Sequence, residues 1–378
     1  MRVLFWTPLY PPSIGGLEIL VADLARGLRA RGHDVCVVTG VGPPYGLPEH
    51  DVHEGTPVHR IGFREALERR DPAGVIAARR RIADLKRSFR PDVVHSHLPD
   101  VGVLGHLRTL DAHPARLVVT AHMVFEDELY LPRPAFDTLM DRAAWVTAVS
   151  EASLAPLLAG WPGIADRSSV VHCGREAPTL PLAAPPAASR PVVLCMGRLV
   201  RDKGFDVAIA AFARIADAFP RARLVVGGDG PERSRLEEQA AALGIADRAT
   251  FTGWVSPDAT TELIDGATVV VMPSRWEEAF GLVALEAAQR ARPVVAARVG
   301  GVPELVDDGE TGLLFGREDA EGCAAAIAAL LAEPGRARRM GEAGRERARV
   351  RFGLDRFVDG YEDLYHHITR EAVHGGAR

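Results

Sequence analysis

Cysteine is scarce in this 378-residue chain: Cys36, Cys173, Cys195 and Cys323 are the whole complement, and they lie far apart. No CxxC pair occurs, so the spacing fits neither a zinc site nor a disulfide framework, and reduced thiols in a cytoplasmic protein are the simplest expectation. Long apolar runs are also missing; none reaches the ~18 residues a membrane-spanning helix needs. The opening "MRVLFWTPLYPP" is a short apolar run broken by prolines, a poor match to a signal peptide. Basic charge is not in excess: 45 Lys and Arg against 50 Asp and Glu leave a net charge of −5. With no recognition-module signature either, nucleic acid is not an expected partner. The GxGxxG fingerprint is absent, which disfavours a nicotinamide dehydrogenase. His95 and His97 in "VVHSH" share one face of a strand, but no third ligand accompanies them, and no metal site is expected.

What is present is the composition of a soluble globular protein, 47% hydrophobic and 25% charged. The length suggests two domains. Short β-branched runs alternate with amphipathic helix patterns. "RVLFWTP" reads as a buried strand, "LEILVADLARGLRARG" as a helix and "DVCVVTG" as the next strand. "PDVVHSH", "ARLVVTAH", "WVTAVS" and "SSVVHCG" continue the series. Strands separated by helices imply βαβ units and a largely parallel sheet. Residues 174–191, rich in proline and alanine and without periodicity, read as a linker. The alternation then restarts with "VVLCMG", "ARLVVGG", "ATFTG", "ATVVVMP" and "RPVVAA". The expected organisation is α/β: two Rossmann-like βαβ lobes facing a central cleft, at 1–173 and 192–354, with a final helix at 355–378 packing back on the first. A ligand would sit outside the carboxyl ends of the strands.

Several residues at predicted strand ends carry usable chemistry. "GRLVRDKG" brings Arg198 and Lys203 to the end of a strand, just before a helix near Gly204. Two cations beside a helix N-terminus suit a diphosphate, each charge-assisted hydrogen bond contributing roughly 1.5–3 kcal/mol. Solvated surface cations would show the same spacing. "EEAFGLVALEAA" follows another strand. Glu278 and Glu286, eight apart, fall off a common face of one straight helix. A helix start between them would explain the pair: the amides of Phe280, Gly281 and Leu282 would hold phosphate oxygens, with Glu278 and Glu286 accepting from sugar hydroxyls on either side, although taken alone solvated surface glutamates are the simpler reading. "SIGGLE" puts Gly15 and Gly16 between the first strand and helix, as a tight turn or as a close approach to ligand. His122, just past a strand end, is a candidate for substrate contact or a satisfied structural histidine. Gly230 in "GGDGPER" either shapes a turn or approaches a donor. The basic run "AARRRIADLKRSFR" (Arg79, Arg80, Arg81, Lys86, Arg87, Arg90) fits peripheral contact with the inner face of a membrane or a charged acceptor, although a solvated helix face is the simpler reading.

The ordered set "PPSIGGLE", "TAH", "AVSE", "GRLVRDKG", "GGDGPE", "FTGWV" and "EEAFGLVALEAAQRARPVVAARVGGVPELV" resembles the family-4 retaining glycosyltransferases of the GT-B fold across nearly the whole chain. The resemblance implies transfer of a sugar from a nucleoside-diphosphate-sugar, UDP-sugar by default, to a hydroxyl of a small-molecule, glycan or lipid-linked acceptor. It implies no metal and no cofactor beyond that co-substrate. It assigns Arg198 and Lys203 to the diphosphate, Glu286 to the ribose and Glu278 to the transferred sugar. His122 falls near the donor sugar and acceptor, Gly15 and Gly16 in a loop over both, and Trp254 or Val255 beside the base. "VVHCG" departs from the Asn-Gly pair common in relatives, at the hinge. Two rivals share the architecture: a nucleotide-sugar 2-epimerase-like isomerase and a non-catalytic sugar-nucleotide binding protein.

Overall fold

The computed structural model describes residues 1–41, 46–125, 131–178 and 189–375, so most of the expected linker, 179–188, lies outside the described residues. Two compact units make up the chain: Met1–Gly174 together with Leu354–Arg378, and Arg175–Gly353.

The first unit opens with β1 (Arg2–Thr7), α1 (Gly16–Ala30), β2 (Asp34–Thr39), β3 (His50–His53) and β4 (Thr56–Arg60). It continues through α2 (Phe63–Glu68), α3 (Pro72–Phe89), β5 (Val93–His97), α4 (Val103–Leu107) and β6 (Arg116–Ala121). Then come α5 (Arg133–Arg142), β7 (Trp145–Ala148), α6 (Glu151–Gly160) and β8 (Ser168–Val170). The sheet order is β3-β4-β2-β1-β5-β6-β7-β8, parallel throughout except for the β3–β4 pair. Strands buried on both faces read as continuous apolar runs, and "RVLFWT" and "DVCVVT" are buried at every position after the first. Leu4, Trp6, Val94, Val119, Phe136 and Leu139 are among the side chains that fill the core.

The second unit runs β9 (Val192–Met196), α7 (Phe205–Ile215), β10 (Arg223–Gly227), α8 (Arg233–Ala242) and β11 (Ala249–Phe251). After α9 (Pro257–Asp265) come β12 (Val269–Met272), α10 (Leu282–Gln289), β13 (Val294–Ala297), α11 (Val302–Leu305) and β14 (Gly312–Phe315). Helices α12 (Ala320–Ala332) and α13 (Pro334–Arg351) close it, and α14 (Leu354–Gly375) returns to the first unit. The second sheet, β11-β10-β9-β12-β13-β14, is wholly parallel.

Each sheet reverses its strand order once, between β1 and β5 in the first unit and between β9 and β12 in the second. Loops leaving adjacent strands at such a point diverge to opposite faces and open a crevice at the carboxyl ends. The loop after β1 ends at Gly15, Gly16 opens α1, and β5 itself ends at His97. The loops after β9 and β12 carry Lys203 and Glu278. Topology therefore places the sequence candidates where each sheet can hold a ligand.

Helix α14 buries Phe357, Val358, Tyr361, Leu364, Tyr365 and Ile368, an i, i+1, i+4, i+7, i+8, i+11 stripe. Each such side chain is worth roughly 1.5–3 kcal/mol of apolar burial. Val358 fits against Gly27 of α1, where a Cβ would collide with its methyl. At the rim, Arg31 pairs with Asp359 and Glu362, and His33 Nε2 lies 2.8 Å from Glu362 Oε1.

Candidate active site

In the second unit the loops after β9 and β12 are built around each other. Lys203 ends a short 3₁₀ turn, and Gly204 follows with φ +66°; a Cβ there would run into the carbonyl of Pro273. Arg275, two residues after Pro273, clamps the same turn. Its guanidinium takes both oxygens of Asp206 at 2.6 and 2.8 Å and also donates to the Arg201 carbonyl. The Arg275 amide donates to the Asp202 carbonyl at 2.8 Å. Burial would raise the Asp206 pKa, but the guanidinium overrides it and holds the carboxyl below its usual range. This bidentate fork fixes the loop that presents Lys203.

Lys203 Nζ donates to Glu278 Oε1 at 2.6 Å, and Ser274 Oγ donates to the same oxygen at 2.6 Å. The carboxylate is 12% exposed and the lysine side chain 33%. Two of the sequence candidates thus meet directly. The neighbouring Glu277 turns the other way: it accepts from the Gly300 amide and pairs with Arg317. Adjacent glutamates divide the work, Glu277 pinning the loop and Glu278 facing the lysine.

The helix start falls between the two candidate carboxylates. Gly281, with φ +99°, is the N-cap of α10, and no side chain caps it. The first amides of the helix therefore lack intrahelical acceptors and carry its positive end. Phe280 is buried against Phe352, ring centroids 5.3 Å apart, which holds the loop at the helix mouth. Glu286 lies in the second turn, half-buried, with Arg175 Nη1 3.8 Å from its Oε1. Arg198 is exposed, and its side chain makes no hydrogen bond or ion pair among the described residues. Gly230 has a steric reason to be glycine: a Cβ would strike the carbonyl of Leu199, and the Leu199 amide donates to the Asp229 carbonyl at 2.9 Å. Trp254, beyond β11, is 64% exposed, and Val255 is partly buried.

In the first unit Gly15 is the extended N-cap of α1, and the Glu18 side chain folds back over it. His122 follows β6, its Nε2 3.1 Å from His97 Nδ1, and burial pushes its imidazole down to about 3. His95 is satisfied on both nitrogens, by Tyr365 Oη and Thr120 Oγ1, each at 2.6 Å. In the basic run, Lys86 is not on the surface. It is buried, and its ammonium donates to the carbonyls of His106 and Thr109 and to Thr109 Oγ1. Arg81 pairs with Glu49 and Arg87 with Asp84. The basic stripe therefore loses its lysine to the interior, because the four-carbon stem packs in the core while the ammonium satisfies two buried carbonyls and a buried hydroxyl. Among the described residues no helix is long and apolar enough to cross a membrane.

Ser274, Arg275, Asp206, Arg317 and Arg175 escaped the sequence reading, and Glu277 was given no role in it. Asp206 sits in the first turn of α7, and the others are ordinary charged or polar residues in loop context.

Two units of this build, each a parallel sheet reversed once with its candidate residues at the carboxyl ends, define the GT-B class. A sucrose-phosphate synthase from Thermosynechococcus elongatus matches with TM-score 0.80 at 24% identity, over 98% of this chain and 100% of that one. Anabaena HepE in complex with UDP and glucose matches with TM-score 0.80 at 21% identity, over 96% and 99%. In sequence, residues 183–347 match the family Glycosyl transferases group 1, and residues 14–177 match Glycosyltransferase Family 4. A glycogen synthase of Mycobacterium tuberculosis is 31% identical over 92% of this chain and 90% of its own length. A D-inositol 3-phosphate glycosyltransferase of Acidothermus cellulolyticus is 32% identical over 97% and 89%. An alpha-maltose-1-phosphate synthase of Mycolicibacterium smegmatis is 32% identical over 98% and 100%. The chain belongs to the family-4 glycosyltransferases of the GT-B fold and is an enzyme of the hexosyltransferase type.

Proposed function

We propose that the enzyme moves a hexosyl group from a nucleoside-diphosphate-sugar, UDP-sugar first among them, to an acceptor hydroxyl with retention at the anomeric carbon and without a metal. The observation that carries this reading is the Lys203–Glu278–Ser274 cluster beside the uncapped start of α10. An ammonium has three protons; one is engaged by Glu278, leaving two for phosphate oxygens. With exposed Arg198 and the helix start, Lys203 supplies built-in positive charge where the leaving diphosphate gains negative charge. Donors aimed at that charge lower the barrier, and removing one costs on the order of 10²–10³ in rate. Glu278 Oε1 is occupied twice, so Oε2 is the oxygen offered to the transferred sugar. Glu286, with Phe280, Gly281 and Leu282 at the helix mouth between it and Glu278, serves the ribose. Gly230 and Trp254 or Val255 serve the donor's nucleotide end. In the first unit His122 and the Gly15–Gly16 turn contact substrate. HepE, which shares the fold, was solved with UDP and glucose; that co-crystal supports the uridine assignment. The work is cytoplasmic, and the exposed arginines of α3 leave peripheral membrane contact as a secondary expectation.

The test is direct. Lys203→Ala and Glu278→Ala should fold as the unaltered chain does and lose at least 10²-fold in transfer; near-normal turnover of both at saturating donor removes the assignment. Release of nucleotide only when acceptor is supplied separates a transferase from the epimerase and sensor alternatives. NMR of the product's anomeric centre reads retention, and full rate in the presence of a chelator reads metal independence.

A further inference from the structure

Behind His122 stands a second imidazole. His97, the last residue of β5, is 1% exposed, and its Nδ1 lies 3.1 Å from His122 Nε2. The other nitrogen of His97, Nε2, is buried without a hydrogen-bond partner. The ring has no room to turn away. His95 packs against it at a tilt of 37° with centroids 3.8 Å apart, and Phe5 meets it edge-on at 4.8 Å. His95 is itself held by Tyr365 and Thr120, and Thr120 in turn contacts Tyr361 and Thr147. Burial keeps His97 neutral, far below its usual pKa, as it does His122.

A hydrogen bond between two neutral imidazoles needs one N–H and one lone pair, which leaves two arrangements. If His122 Nε2 donates, the proton of His97 sits on Nε2 and becomes a buried N–H with no acceptor. If His97 Nδ1 donates, His97 Nε2 is only an unused lone pair. Folded chains tolerate under-used acceptors more readily than orphan N–H groups, so the second arrangement prevails. His122 then carries its proton on Nδ1, and that nitrogen makes no hydrogen bond among the described residues.

We propose that His97 is a positioning residue that fixes His122 as the Nδ1–H tautomer, so that His122 presents substrate with a hydrogen-bond donor and not with a proton-accepting nitrogen. The functional half of this statement rests on the proposed role of His122; the tautomer does not. A group behind an imidazole commonly decides which of its nitrogens is protonated.

Nitrogen-15 NMR of the full-length, histidine-labelled enzyme reads the tautomer, with the His122 signals identified by their loss in His122→Ala. The expected pattern is protonated Nδ1 and unprotonated Nε2. His97→Asn, whose amide nitrogen stands near the position of Nδ1, keeps that pattern and most of the transfer rate. His97→Phe loses the donor, gives a mixture of tautomers, and lowers kcat roughly 10–100-fold at unchanged donor KM, the range seen for groups that orient metal-bound histidines from behind. A His122 protonated at Nε2 in the unaltered enzyme overturns the proposal, as does an unchanged tautomer and rate in His97→Phe. An Nδ1-protonated His122 whose replacement by Ala leaves transfer intact sinks the role of His122 in the reaction and leaves the tautomer standing.

Discussion

Ser274 shows how much one hydroxyl can settle. It shares Glu278 Oε1 with Lys203, so the carboxylate is held from two directions. Ser274→Ala removes one anchor while leaving the ion pair. The expected outcome is a fall in kcat of about 10-fold, equivalent to ~1.4 kcal/mol, with little change in Tm; steady-state kinetics beside a thermal melt checks both. Residue chemistry was partly legible in the sequence. Lys203 and Glu278 stood out because each lies in a loop that leads from a strand into a helix. Arg275 and Asp206 did not, since a salt bridge across 69 residues leaves no periodic trace. Glu277 and Glu278 are adjacent and chemically identical, and only the loop's path assigns one to Gly300 and the other to Lys203.

Helix α3 makes the corresponding point for an element. Asp71 caps its start by accepting from the Gly74 amide, and the direction of Lys86 left no signal in the sequence. Within a run of six basic residues, spacing alone cannot say which side chain turns inward. Lys86 binds the carbonyl ends of α4 and the turn after it, and burial pulls its pKa down to about 7. Lys86→Ala strips those carbonyls of their donors and should cost about 2–4 kcal/mol, read as a lower urea midpoint at unchanged m-value. The α1–α14 contact yields a pH prediction. His33 and Arg31 hold the Glu362 carboxyl below its ordinary 4.5. A depressed carboxyl stabilises the fold fully above its unfolded pKa and loses that contribution as pH falls through the lower folded value. Glu362→Gln should therefore flatten the decline of Tm between about pH 6 and pH 3, measured side by side with the unaltered chain. The sequence was silent on β3 and β4. These short strands, "HDVH" at the sheet edge and "TPVHR" beside it, expose alternate residues and so lack the continuous apolar run that marked the buried strands.

Across the whole molecule, alternation of strand and helix was the clearest message, because parallel strands buried on both faces must be apolar throughout. The two sheets and their reversal points follow from that pattern only once strand order is known, and order is set by long-range pairing with no local signature. Unit boundaries at Gly174 and Leu354 make the first unit discontinuous in sequence and the second continuous. Deletion of residues 354–378 uncovers Tyr361's and Tyr365's partners, His95, Thr120 and Thr147, beneath the first sheet. Hydrogen–deuterium exchange should then show lost protection in β1, β5 and β6, with the strands of the second unit protected as before. Equal loss in both units would contradict the division.

The return of α14 also orders events during translation. The stretch from Arg175 to Gly353 emerges from the ribosome whole and has all it needs to complete its sheet and helices at once. The amino-terminal half, made earlier, must wait for α14 before its tyrosine-lined underside is sealed. A message cut short before α14, or a protease removing that helix, would thus injure the earlier-made unit and spare the one made after it.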